Sequence, residues 1–182
     1  MIPEPCVATI GFFDGVHMGH RYLIQQVKEI AAAKGLRSAL VTFPVRPRKV
    51  MNAAYHPELL TTPEEKTNLL AGTGVDYCLM LDFTPDISRL TAKEFMTQIL
   101  KERFQVKYLV IGYDHRFGHN RSEGFDDYVR YGQAIGIEVI RAQAYTDDIQ
   151  IDTTQSAPVS SSLIRKLLHQ GDVDVAARCL GY

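Results

Sequence analysis

The stretch Cys6-Val7-Ala8-Thr9-Ile10-Gly11-Phe12-Phe13-Asp14-Gly15-Val16-His17-Met18-Gly19-His20 runs from an apolar segment through a glycine-punctuated loop toward a helical pattern. Cys6–Ile10 is too short for a helix and suits a buried strand. Arg21–Ala33 follows with apolar residues at helical intervals, so the loop joins a strand to a helix. Ser38–Phe43, Tyr77–Leu81, Tyr108–Ile111 and Ile137–Ile140 read as further strands. Pro63–Ala71, Ala92–Arg103 and Gly124–Ile135 read as the helices between them, and Thr84–Thr91 and His115–Gly124 as loops by composition. Parallel strands need long return connections, so this alternation predicts an α/β fold. The expected form is a Rossmann-like three-layer α/β/α arrangement on a parallel five- or six-stranded sheet. Ser160–Gln170 and Asp172–Leu180 read as two short terminal helices, with Gly171 as a C-cap between them.

Composition bounds the function. A formal net charge of -1 over 182 residues leaves no broad basic surface for nucleic acid or an anionic membrane, so phosphate recognition must be local. Cys6, Cys78 and Cys179 are scattered and form no C-x-x-C pair, which suggests neither a disulfide framework nor a zinc site. The N-terminus lacks a basic n-region, and no apolar run approaches the roughly 20 residues that span a bilayer. The expectation is one cytoplasmic domain over residues 1–182 that works on small molecules; nothing indicates its oligomeric state.

Ligands of open α/β sheets bind beyond the carboxyl ends of the strands, which is where the first loop lies. A helix N-terminus offers unpaired N–H groups and a partial positive charge to a phosphate. His17 and His20, three apart, can share a face and address one anion. Gly19 removes the Cβ where a nucleotide would approach the backbone. With this composition H-x-G-H arises in about one shuffled chain in seventy, so its strand–loop–helix placement carries the argument. The competing reading is that both histidines only cap and hydrate a helix start.

Pro158-Val159-Ser160-Ser161-Ser162-Leu163-Ile164-Arg165 is a second helix start. Its hydroxyls, open N–H groups and guanidinium suit the outer phosphates of a nucleoside triphosphate. Alone, it is an ordinary serine cap. Together, the two helix starts can clamp one polyphosphate.

These segments carry a resemblance. With Thr42-Phe43-Pro44-Val45-Arg46-Pro47 and Gly112-Tyr113-Asp114-His115-Arg116-Phe117-Gly118, they make the chain similar, over almost all its length, to the bacterial bifunctional riboflavin kinase/FAD synthetases. The first and last segments belong to the wider H-x-G-H nucleotidyltransferases; the middle two resemble the flavin branch. The resemblance implies the reaction FMN + ATP → FAD + pyrophosphate, assisted by Mg2+. It implies that His17 and His20 contact the ATP phosphates and that Ser161, Ser162 and Arg165 hold their far end. Gly11, Phe12, Phe13, Asp14, Gly19, Asp114 and Ser160 complete the expected ATP site. Phe43, Arg46, Arg116 and Phe117, with Phe13 and Tyr113, are candidates for the flavin, the aromatics for its ring and the arginines for its phosphate. The chain departs from the family pattern at Arg46, commonly His, and at His115, commonly Phe.

Family members continue into a riboflavin kinase domain, starting near a Leu-Gly sequence. This chain stops at Cys179-Leu180-Gly181-Tyr182. The reading is a piece of a longer protein or a separately encoded enzyme, with riboflavin phosphorylation absent from this chain. No protein residue is assigned to magnesium, which travels on the triphosphate. Two alternatives stay open: the same ATP chemistry on another phosphorylated acceptor, and a non-catalytic module that binds flavin or nucleotide.

Overall fold

The computed structural model describes residues 4–52, 54, 58–112 and 114–182; Tyr113 and His56 lie outside them. Cys6–Ile10 (β1), Arg37–Thr42 (β2), Tyr77–Met80 (β3), Val106–Ile111 (β4) and Glu138–Arg141 (β5) form one five-stranded sheet in the order β3-β2-β1-β4-β5. Every neighbouring pair in it is parallel. The order reverses between β1 and β4, so the crevice beyond their carboxyl ends is the topological switch point.

Both faces of the sheet are covered. On one, Val7 and Val110 pack with Val27 and Ala31 of helix α1 (Met18–Lys34). Beside them Leu40 packs with Ile24 of α1 and with Leu70 of α3 (Pro63–Ala71). On the other, Ala8, Ile10, Ala39, Val41, Leu109 and Ile111 meet Phe95, Leu100 and Tyr128. These come from α5 (Ala92–Phe95), the π-wound turns Met96–Arg103 that continue it, and α6 (Phe125–Ile135). Burial on both faces explains why the inner strands read as continuous apolar runs rather than as alternations.

The expected helix Ala92–Arg103 is therefore present as a span, but its last two-thirds is π-wound, which apolar spacing does not reveal. Two short helices were not anticipated: α2 (Pro47–Met51) and α4 (Pro85–Ser88). α4 lies inside the segment read as a loop, and the Thr84 hydroxyl caps it by accepting from Ile87 N–H at 3.3 Å. Beyond the sheet, β6 (Ile149–Gln150) and β7 (Ser156–Ala157) pair as a small antiparallel hairpin. It leads into α7 (Ser161–Gln170) and α8 (Val173–Leu180). Gly171 sits between the last two in the left-handed conformation (φ 81°) that a C-cap requires. Among the described residues no helix is long and apolar enough to cross a membrane.

Candidate active site

The loop from β1 to α1 holds a strained backbone. Phe13 and Val16 have φ of 57° and 42°, and Gly15 of 83°. A β-branched residue at positive φ costs on the order of 1–3 kcal/mol and persists only where the surroundings enforce it. Here the enforcement is visible. The Gly15 N–H donates to Thr61 Oγ1 (3.2 Å), and the Tyr182 hydroxyl donates to the Gly15 carbonyl (2.7 Å). The Phe13 ring folds back over Gly11, where a Cβ would lie 3.0 Å from it.

This loop delivers His17 to the N-cap of α1, where its Nδ1 accepts from His20 N–H at 3.3 Å. The capping reading is thus true of His17. It is not the whole geometry, because the two imidazoles stack with centroids 3.6 Å apart and 15° between planes. The edge of Phe13 closes against His20 at 5.3 Å. Burial brings the His17 pKa down to about 4, partly offset by Asp14, and holds that of His20 well below its ordinary value, with His17 and Lys66 adding to the effect. The pair is therefore uncharged at neutral pH. The buried Nδ1 of His20 meets no hydrogen-bond partner among the described residues, a state shared by Thr9 Oγ1 and Arg46 Nε, whereas most buried polar side-chain atoms are paired.

The second helix start comes to the first loop. Ser161 Oγ donates to the Asp14 carbonyl at 2.9 Å, joining the N-termini of α1 and α7. Ser160 is the N-cap of α7, accepting from Leu163 N–H at 3.1 Å, and Ser162 is exposed. Arg165 donates through Nε to the Glu58 carbonyl (2.7 Å) and through Nη2 to the Asp14 carboxylate.

Asp14 is turned inward. Its carboxylate is buried and also accepts from the N–H groups of Leu60 (3.0 Å) and Thr61 (3.2 Å), with Arg46 Nη2 at 3.5 Å. Asp14, expected at the ATP site, has its carboxylate oxygens engaged by the protein, where they hold both arginines at the crevice. Asp114 lies apart from this hub. With Tyr22, Gly112, Arg141 and Gln143 it lines an open cavity of about 660 Å³ at the carboxyl ends of β4 and β5, a volume suited to a small ligand.

The aromatic candidates divide differently from expectation. Phe117 is buried in the core with its face stacked on Tyr128 at 4.2 Å and 16°. Phe43 is also buried and meets Phe83 edge-on at 5.7 Å. Both rings, expected at the flavin, pack against other aromatic rings inside the protein. Phe12 is half-buried under two cations, Lys66 Nζ at 3.8 Å from its centroid and Arg46 at 5.1 Å. Arg116 is exposed and lies against Gly124, away from the hub. The sequence reading missed Lys66 and Thr61; Lys66 sits among Glu64, Glu65 and Thr67 in what reads as an ordinary solvated turn.

A family model described as FAD synthetase matches residues 1–157. The chain belongs to the FAD synthetase family. It is 32% identical over 98% of its length to the bifunctional riboflavin kinase/FMN adenylyltransferase of Escherichia coli. It is 33% and 35% identical, each over 97%, to the proteins of that description from Listeria monocytogenes and Pseudomonas fluorescens. The chain spans about half the length of these curated relatives, 54–55%. A solved structure described as a macrolide-efflux protein from Streptococcus pneumoniae superposes with a TM-score of 0.80 at 29% identity, over 100% of this chain and 66% of that one. Membership in the FAD synthetase family agrees with the parallel sheet flanked by helices on both faces.

Proposed function

We propose that this chain transfers AMP from ATP to FMN, releasing pyrophosphate and forming FAD. The observation that carries the reading is the stacked, uncharged His17–His20 pair at the N-terminus of α1, on the switch-point side of the sheet and joined to the N-terminus of α7. The FMN phosphate is already anionic near neutral pH, so no general base is needed. One of its oxygens attacks the α-phosphorus in line; the new P–O bond forms as the bond to the β-phosphate bridge breaks, and pyrophosphate leaves with that electron pair. Negative charge gathers on the equatorial and leaving oxygens. His17 and His20 supply imidazole N–H groups, the two helix N-termini supply backbone N–H groups, and Arg165 supplies a guanidinium for the outer phosphates.

Family membership supports FMN as acceptor, and the cavity at Asp114 supports a nucleotide-sized ligand at the ends of β4 and β5. Magnesium belongs to the substrate as its ATP complex. The residues present build no cage for it: among those described, no group of three His, Cys, Asp or Glu side chains converges, and Asp14 is committed to Arg165 and Arg46. The experiment is incubation with FMN, ATP and magnesium, followed by separation of the flavins and assay of pyrophosphate. FAD and pyrophosphate in equal amounts, with kcat falling about 10²-fold or more in His17→Ala and His20→Ala, is the expected result. Pyrophosphate released only with another phosphorylated acceptor would move the reading to that acceptor. ATP binding without pyrophosphate would leave a binding module.

A further inference from the structure

Lys66 of α3 is 2% exposed, an uncommon state for a lysine, and it makes no ion pair within 4 Å among the described residues. Its Nζ donates to the Phe12 carbonyl at 3.0 Å and to the Phe43 carbonyl at 2.8 Å. Phe12 belongs to the loop after β1, Phe43 to the segment after β2. The ammonium also stands 3.8 Å from the centroid of the Phe12 ring, a cation–π contact out of water. Thr42 Oγ1 donates to the same Phe12 carbonyl at 3.2 Å, so that oxygen is filled and its orientation fixed. Two residues beyond Phe12 is Asp14, the hub for Arg165 and Arg46; five beyond is His17.

We propose that Lys66 is a positioning residue of the transfer reaction: its buried ammonium clasps the loop carrying Asp14, His17 and His20 to the segment leading to Arg46. This rests on the function proposed above. A structural need for apolar area at this point would be met by Met or Leu; burying a charge is costly unless it is hydrogen-bonded or paired, and here the carbonyls of Phe12 and Phe43 supply the hydrogen bonds. The two carbonyls and the ring face give the ammonium three anchors on two different loops, which fixes their separation. The charge is felt at His20, where Lys66 adds to the lowering by burial and by His17. The groups that face the ammonium are Asp14 and His20 from the first loop and α1, Arg46 from the loop after β2, and Cys78 from β3. Desolvation dominates, with Arg46 in the same direction and Asp14 and Cys78 opposing, and brings Lys66 down to about 8. The clasp is therefore charged at neutral pH and discharges above it.

The test compares the whole chain with Lys66→Met, which keeps length and loses charge, and Lys66→Gln, which keeps a donor. Histidine proton resonances are followed through a pH titration without substrate, then kcat and KM are measured for FAD formation. The expected result is that His20 titrates at higher pH in both variants, while kcat falls about 10-fold or more with the KM for ATP changed less than about threefold. A folded Lys66→Met with the wild-type His20 titration and wild-type kcat would overturn the proposal. Where neither variant folds, the wild-type protein decides: the Lys66 side chain, followed by carbon NMR at Cε, should titrate near 8, and its titration at the ordinary value of 10.5 would overturn the proposal. The NMR readouts need no turnover, so a wild-type chain that forms no FAD would count against the proposed activity and not against the charge coupling.

Discussion

The Arg165 guanidinium rests on the buried carboxylate of Asp14, 151 positions away in sequence, and Arg46 reaches the same oxygen at 3.5 Å. One acid thus binds the last helix start and the segment after β2 to the first loop, and also satisfies the backbone N–H groups of Leu60 and Thr61. Removing one member of a buried, hydrogen-bonded charge cluster strands the others. Asp14→Ala should lower the unfolding free energy by about 3–5 kcal/mol, and Asp14→Asn by less, as measured by urea denaturation. A stable Asp14→Ala with only a raised KM for ATP would show that Asp14 contacts the nucleotide instead. Arg165→Lys should not substitute for the native residue, because one ammonium cannot reach both Asp14 and the Glu58 carbonyl as Nη2 and Nε do.

Stability should fall as pH drops from about 6.5 toward 4. His17 and His115 are each brought down to about 4 by burial, and His20 lies well below its ordinary value. Across that window the unfolded chain binds protons that the folded chain refuses, so the unfolded state gains. For His17 alone the difference is on the order of 3 kcal/mol between neutral pH and pH 4. Thermal melts at half-unit pH steps should show the loss. The variant His17→Asn, which can still cap α1 and cannot titrate, should flatten part of it.

Phe117→Ala should act on the fold and not on flavin recognition. Its ring stacks on Tyr128 and tilts against Phe95 at 5.6 Å, inside the cluster between α5, α6 and the sheet. Truncation of a buried phenylalanine costs about 3–5 kcal/mol. The check is denaturant unfolding together with the KM for FMN, which should stay within about twofold in the folded fraction. A raised KM at unchanged stability would return Phe117 to the flavin site.

The strands and helices that carry the first loop were legible because β1 and α1 lie next to each other in sequence and each has a clear period: a short apolar run, then spacing of three and four. Helix α3 was legible to the residue from its apolar spacing, and the structure adds a capping box of Thr62 and Glu65 at its start. The placement of Ser161 beside Asp14 was legible only as a possibility, since nothing local brings residue 161 to residue 14. Lys66 was invisible for the same reason: whether a lysine faces water or two carbonyls is decided by the strands it packs on. The aromatics present the opposite case. Phe43 and Phe117 lie in motifs that resemble the flavin branch, and it is their burial in the core that the motifs did not reveal. The hairpin β6–β7 has two residues per strand, too few for any period to register.

Gly19 separates two reasons for a glycine in H-x-G-H. A Cβ there would stand 3.0 Å from His17 Cε1, 3.2 Å from His17 Nδ1 and 3.9 Å from the Val159 carbonyl. The backbone at Gly19 lies within the first turn of α1, where alanine is favoured over glycine by up to about 1 kcal/mol. Gly19→Ala should therefore change the melting temperature little, the helix gain being offset by loss of the His17 cap, while the displaced imidazole loses its stack on His20 and kcat falls about 10-fold or more. If the space is kept for nucleotide rather than for His17, the same variant should raise the KM for ATP and spare kcat. Gly132→Ala is the control. Its Cβ would lie 2.2 Å from the Ile137 carbonyl, where α6 turns into β5, so it should unfold the protein more readily without a selective effect on either constant. Loss of stability in Gly19→Ala comparable to that in Gly132→Ala would show that the glycine serves packing alone.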